Sequence, residues 1–271
     1  MSIRIIATDL DGTLMAPDHT TVTERTKTAL LNAHKKGIKI AIATGRTLGF
    51  ITPVTDQIPF IDYVIFSNGA SVYDLHEKRI IYKNHIPPQL TAEILAKLND
   101  SQVYYNTYVD GTAYIQNNKQ QFYKGRELPA DFLKIFMESS VCCENLCETL
   151  KGQSAEIIAV YSNEESDRQA LAEYFNSLGL LVTASLKDEI EATVPSAHKG
   201  TALSELCKLL GLTSEEAMSF GDAMNDLSMI EFVKYSFAMG NACEELKKKA
   251  QYITLSNAED GLAKAVEEYA L

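Results

Sequence analysis

Six short apolar runs, each passing directly into Gly, Asp, Asn, Thr or Ser, constrain this chain more than any other feature. They are Ile3–Thr8 before Asp9, Ile38–Ala43 before Thr44-Gly45-Arg46, and Tyr63–Ser67 before Asn68-Gly69-Ala70. The other three come late: Ala217–Phe220 before Gly221-Asp222, Ser236–Met239 before Gly240-Asn241, and Tyr252–Leu255 before Ser256-Asn257. A strand that is apolar throughout has both faces buried. The stretches of helical spacing between the runs, such as Val22–Lys36 closed by Gly37, supply the cover. This predicts an α/β fold with a parallel sheet. In open sheets of that kind the ligand crevice lies at the carboxyl ends of the strands. Turn formation alone accounts for the glycines and asparagines there. It does not account for the acids.

The middle of the chain follows another rhythm. Pro87-Pro88 interrupts the alternation, and Leu90–Leu98 has helical spacing. Gln102–Tyr108 and Thr112–Gln116 read as a hairpin around Asp110-Gly111. Helices are predicted at Ala130–Ser139 and Ser166–Leu178, and strands at Ala155–Ser162, Leu180–Leu186 and Glu189–Val194. The pattern predicts an antiparallel α+β unit with one wetter face, spanning residues 85–193 and inserted into a core of residues 1–84 and 194–271.

Charge narrows the function. With 25 basic and 36 acidic residues among 271, the net charge is −11, which disfavours nucleic acid and anionic membrane as partners. It also repels phosphorylated small molecules, so a phosphate site needs local positive charge, most simply a metal ion. No apolar stretch approaches the ~20 residues that span a bilayer, and Met1–Ala7 lacks a signal-like pattern. The cytoplasm is the expected location. Five cysteines, Cys142, Cys143, Cys147, Cys207 and Cys243, read as reduced thiols, since no fourth ligand completes a zinc set around the first three.

Four strand-end motifs carry chemistry. In Asp9-Leu10-Asp11-Gly12-Thr13, two acids two residues apart share a side if strand geometry persists, and Gly12 permits a sharp turn. Close carboxylates repel unless a cation joins them, and Mg²⁺ suits such hard oxygens. In Ser219-Phe220-Gly221-Asp222-Ala223-Met224-Asn225-Asp226, Asp222 would complete the carboxylate set, while Asn225 and Asp226 fall on the next helix's first turn, Asp226 reading as a cap. Thr44-Gly45 can cradle a phosphate at a strand-to-helix junction. Arg46 reads equally as an ion-pair residue. Lys199 opens a helix against the macrodipole, a mismatch that suggests phosphate neutralisation. His198 reads as structural or exposed.

Taken together, these motifs resemble the haloacid-dehalogenase-like hydrolases, and within them the Cof-like phosphatases of subfamily IIB. Ser67-Asn68-Gly69-Ala70, Lys199-Gly200-Thr201-Ala202-Leu203 and Ala238-Met239-Gly240-Asn241-Ala242 also match. Pro195-Ser196-Ala197-His198 departs slightly from the usual Pro-x-Gly-Val-Ser. The resemblance implies a Rossmann-like parallel-sheet core with an inserted cap that sets substrate choice. It implies Asp9 as nucleophile, Asp11 as general acid and base, and Mg²⁺ on Asp9, the Asp11 carbonyl and Asp222. Leu10, Thr44, Gly45, Lys199 and Asn225 would hold the phosphate of a small phosphorylated metabolite. Two alternatives remain. A phosphomannomutase-type mutase would need a second anion site in the cap, where the arginines are Arg126 and Arg168. Its lysines are Lys97, Lys119, Lys124, Lys134, Lys151 and Lys187. A non-catalytic binding module on the same fold is the other. Tyr105, Asn106, Tyr108 and Tyr114 are cap residues that either reach a ligand or pack.

Overall fold

The protein is described from a computed structural model, which covers residues 2–101, 103–116, 130–184 and 187–271. The chain divides into two compact units: residues 1–46, 51–83 and 198–271 in the first, and residues 47–50 and 84–197 in the second.

The first unit is built on strands β1 (Ile5–Thr8), β2 (Lys39–Ala43), β3 (Tyr63–Phe66), β4 (Ser71–Asp74) and β5 (Arg79–Lys83), with β12 (Ala217–Gly221), β13 (Tyr235–Ala238) and β14 (Tyr252–Ile253). They form one sheet in the order β14-β13-β12-β1-β2-β3-β4-β5. The six strands read from the sequence pair in parallel, as in Thr8 with Ile42 on one side and Phe220 on the other. The sheet is not wholly parallel, because β4 and β5 add an antiparallel edge. The sequence pattern does not distinguish those two, since their outer residues are only half-buried.

Burial shows why the runs are continuously apolar. Ile6, Ile40, Ile42, Met218 and Phe220 pack into one cluster, while Ile5, Ala7, Ala41, Ala43 and Ile65 pack into another. Successive residues of one strand point to opposite faces, so both faces are dry. Helices α1 (Glu24–Lys35) and α7 (Gly261–Tyr269) contribute Ala29, Leu30, Leu262 and Val266 to the first cluster. Helix α5 (Lys199–Leu209) contributes Ala202, Leu203 and Leu206 to the second. Each fully buried Leu or Ile side chain contributes about 1.5–3 kcal/mol. Helix α1 starts where Thr23 accepts a hydrogen bond from the Thr26 N–H at 3.2 Å.

The second unit has strands β6 (Tyr104–Val109), β7 (Thr112–Gln116), β8 (Val141–Cys143), β9 (Ile157–Tyr161), β10 (Leu181–Thr183) and β11 (Glu189–Thr193), in the order β10-β11-β9-β6-β7-β8. Its helices are α2 (Pro88–Asn99), α3 (Ala130–Ser139) and α4 (Glu165–Ser177). The β6–β7 hairpin turns at Asp110 and Gly111, whose φ angles of 50° and 79° suit the two central positions of a tight hairpin turn. Two expectations need correction. The sheet is antiparallel except for the β7–β8 pair, which is parallel. Neither face of its central strand is wet: Ile158 and Val160 pack with Tyr105 and Phe175, while Ile157, Ala159 and Tyr161 pack with Phe50 and Phe136. Phe50 and Phe136 stack at 6.2 Å, so the short segment 47–50 is part of this cover. Tyr105 and Asn106 lie inside the unit, with Asn106 donating to the Tyr161 hydroxyl at 3.3 Å. Tyr108 and Tyr114 are half-buried against the same clusters. Gln102, Lys119, Lys124, Arg126, Ser185 and Leu186 lie outside the described residues.

Candidate active site

Parallel register brings the ends of β1, β2 and β12 together. Asp9 extends the ladder by one bond, its N–H donating to the Phe220 carbonyl at 3.0 Å. There the strand stops. The Leu14 N–H reaches back to Asp9 O at 3.2 Å and the Met15 N–H to Leu10 O at 3.0 Å, closing a wide turn over Leu10–Leu14. Gly12 sits within it at φ +82°, and a Cβ there would lie 2.4 Å from the Asp222 carboxylate. Only glycine satisfies both conditions. Because the strand does not persist past Asp9, the two acids of the motif do not share a side. Asp9 faces a buried charge cluster, whereas the Asp11 carboxylate pairs with Arg46.

The buried cluster is organised around Lys199. Its ammonium is fully buried and lies 2.6 Å from Asp9 Oδ1 and 2.6 Å from Asp226 Oδ1. Asp226 also caps its own turn, Oδ2 accepting from the Asp222 and Ala223 N–H groups at 3.0 and 3.1 Å. The cap expected at Asp226 is therefore present, together with an ion pair that sequence reading missed. A fully buried lysine needs counter-charges nearby, but the burial of Lys199 is itself a tertiary fact. Burial opposes the charge on Lys199, but Asp9 and Asp226 overcome it and hold the ammonium above its ordinary range.

Ligand oxygens of Asp9, Asp222 and Asp226 lie within 4.8 Å of one another, close enough to hold a metal ion. Burial, reinforced by Asp226, pushes the Asp9 carboxyl up to about 8 against the pull of Lys199. Burial also raises Asp222, although a 2.9 Å hydrogen bond from Thr13 Oγ1 counters it. Carboxyls raised this way favour a proton until a cation replaces it. Asp226 already serves Lys199 and two backbone donors, so Asp9 and Asp222 are the carboxylates with most to gain from an ion. The donor set is all oxygen, which suits a hard divalent cation.

The remaining residues flank this cluster. Thr44 is buried, and its hydroxyl accepts from the Arg46 N–H at 3.1 Å. The Asn68 N–H donates to Thr44 O at 3.0 Å, and a Cβ on Gly45 would lie 3.1 Å from the Asn68 amide. Asn225 donates to Asn68 Oδ1 at 3.2 Å, joining the loops after β3 and β12. Ser67, Asn68 and Gly69 have φ of 50°, 53° and 96°, and a Cβ on Gly69 would lie 2.3 Å from the His198 carbonyl carbon. Strain of this kind persists only where the surroundings hold it. Asn241 completes the ring, donating to Gly12 O at 2.8 Å. His198 is the N-cap of α5, its Nδ1 accepting from the Thr201 N–H at 3.3 Å. All five cysteines are free, and burial pushes the Cys207 thiol up to about 11.

Among the described residues no helix is long and apolar enough to cross a membrane. Comparison with known proteins places these features in a family. Residues 6–266 match the family model described as haloacid dehalogenase-like hydrolase. A 5-amino-6-(5-phospho-D-ribitylamino)uracil phosphatase of Bacillus subtilis is 29% identical, over 100% of this chain and 97% of that protein. A pyridoxal phosphate phosphatase of Escherichia coli is 26% identical, over 98% of each. A crystal structure from Thermotoga maritima superposes with a TM-score of 0.84 at 25% identity, covering 98% of this chain and 97% of that one. A subclass IIB sugar phosphatase superposes at 0.72, also at 25% identity and over 98% of each chain. The chain belongs to the haloacid dehalogenase-like hydrolases, within their Cof-like subclass IIB, and is a hydrolase of phosphomonoesters.

Proposed function

We propose that this protein is an Mg²⁺-dependent cytoplasmic phosphatase that hydrolyses a small phosphorylated metabolite through a phospho-Asp9 intermediate. The observation that carries the reading is the buried Lys199 held between Asp9 and Asp226, with Asp222 in the same carboxylate group. Asp9 and Asp222, with the Asp11 carbonyl, would hold Mg²⁺. When bound, the ion would offset charge on the phosphoryl oxygens.

The chain's own residues supply the rest. One Asp9 oxygen attacks phosphorus as the bond to the leaving oxygen breaks, and Asp11 delivers a proton to that oxygen. Water then attacks the phospho-aspartate, Asp11 takes up its proton, and phosphate departs from a restored Asp9. Lys199 holds Asp9 in one orientation, which makes attack effectively intramolecular, and stabilises the developing charge. The Thr44 hydroxyl, the Leu10 and Gly45 backbone and the Asn225 amide would cradle the phosphate.

Residues 85–193 would set substrate choice, because no residue assigned above to metal or phosphate belongs to them. The relatives' names support small phosphorylated substrates, among them a phosphoribitylamino-uracil and pyridoxal phosphate. A mutase gains no support: Arg168, the cap arginine among the described residues, donates to the Ser162 carbonyl at 2.5 Å within its own unit. The test is phosphate release from a panel of sugar, pyrimidine and pyridoxal phosphates, with Mg²⁺ and with chelator. Metal-dependent release from at least one supports the reading; release that survives chelation removes Mg²⁺ from it.

A further inference from the structure

We infer that Arg46 is a positioning residue for Asp11. The inference rests on the phosphatase reading above, in which the Asp11 carboxyl moves protons. Arg46 engages that carboxyl with a two-pronged fork, Nε to Oδ2 at 2.9 Å and Nη2 to Oδ1 at 2.5 Å. A bidentate guanidinium–carboxylate pair fixes the plane of the carboxylate as well as its distance, which a lysine cannot do. The constraint has work to do, because the Asp11 side chain is 40% exposed. Among the described contacts its other ionisable neighbour is His19, with Nδ1 at 3.4 Å from Oδ1.

Arg46 is itself anchored from three directions. Its N–H donates to Thr44 Oγ1 at 3.1 Å, its carbonyl accepts from the Ser67 N–H at 3.0 Å, and Nη2 lies 3.7 Å from Met15 Sδ. The fork is thus referenced to the ends of β2 and β3, the same strand ends that carry Thr44 and Asn68. Arg46 is also the last core residue before segment 47–50, which packs with the inserted unit. An ion pair this exposed adds little stability, so energetics alone gives no account of so defined a geometry. Orientation does: a proton donor displaced by about 1 Å can lose on the order of 100-fold in rate.

The experiment is a double-mutant cycle with Arg46→Ala, Arg46→Lys and Asp11→Asn, singly and combined, on an alkyl and an aryl phosphate. Arg46→Ala is expected to lower kcat on the alkyl ester about 10- to 100-fold with KM little changed. Arg46→Lys is expected to recover part of that loss. Adding Arg46→Ala to Asp11→Asn is expected to cost less than about twofold more, since a residue acting only through Asp11 has nothing left to position. Thermal unfolding and Mg²⁺ titration of each variant separate this from damage to the fold or metal site. Additive losses, or a raised KM with kcat intact, would place Arg46 on the substrate and overturn the inference while leaving the phosphatase reading standing. Absence of turnover by the wild-type protein on the whole substrate panel would overturn both.

Discussion

In the core unit several of the most deeply buried polar side chains are ionisable and face one another. Lys199 meets Asp9 and Asp226, and the fully buried Asp62 accepts from Lys39 Nζ at 2.8 Å and the Ile40 N–H at 2.9 Å. In the inserted unit the largest fully buried side chains are Tyr105 and Phe175, and the buried Glu156 accepts from the Gly111 N–H at 2.9 Å, holding a hairpin turn. One unit pairs buried acids with lysines at both ends of its parallel strands, Asp9 and Asp226 with Lys199 and Asp62 with Lys39. The other sets its buried Glu156 between a backbone N–H and the His85 side chain, whose Nε2 lies 3.7 Å away. Buried charge costs several kcal/mol per ion unless it is paired, and in the core unit each buried acid has a lysine partner.

The contrast breaks most sharply at Asp9. Asp9→Asn is expected to cut turnover by about 10³-fold or more, because the amide keeps the shape but cannot attack phosphorus. The sign of the stability change follows from the raised carboxyl. A folded-state pKa near 8, against 3.8 for the ordinary side chain, means the metal-free fold holds the proton and loses stability as pH rises through that window. Removing the titrating group should leave Tm at pH 8 unchanged or higher without metal. Near-wild-type turnover by homogeneous mutant protein would sink the covalent mechanism.

Lys199→Met should be the most damaging change to the core fold, about 3–5 kcal/mol, since it leaves buried Asp226 without its cation and Asp9 without its hydrogen-bond partner. Chemical denaturation measures it; a loss below about 1 kcal/mol would show that Lys199 does not compensate a buried charge there. The matching substitution in the other unit, Phe175→Ala, should cost about 3–5 kcal/mol through the cavity it leaves. Mg²⁺ affinity should nonetheless stay within about twofold of wild type, because the buried cluster around Phe175 shares no residue with the carboxylates. A large affinity loss in Phe175→Ala would show that the two units are not separable in this way.

The smallest expected effect is the pH dependence of metal binding. Below about pH 8 the ion must displace the proton held on Asp9, so apparent Mg²⁺ affinity should rise from pH 6 to about 8 and then level off. Calorimetry in two buffers of different protonation enthalpy would register the released proton. An affinity independent of pH would mean that Asp9 is already ionised in the metal-free protein.

Replacing the inserted unit with that of a relative of different preference sharpens the comparison from the substrate side. The folded chimera is expected to take on the donor's substrate ranking. Retention of this protein's ranking would move specificity into the core.

Legibility differed between the units for a physical reason. The strand ends of the core were readable because apolar runs buried on both faces and close-packed Asp, Gly and Asn leave local marks: Asp9, Thr44, Gly45, Asp222 and Asn225 each follow a strand directly or within a turn. In the inserted unit Val141–Cys143 is too short and too exposed to announce a strand, and the cover from Phe50 comes from a segment far away in sequence.

By itself the sequence determined the alternation of strands and helices in the core and the acids at their ends, since each depends on periodicity and turn chemistry within a few residues. Only the tertiary structure decided which charges meet. Asp9 and Asp11 are neighbours along the chain and part company because the strand ends between them. Lys199 and Asp226 meet Asp9 from some 200 positions away, and Arg46 takes Asp11 from the end of another strand. Those pairings follow from sheet order and register, which set residues remote in sequence side by side.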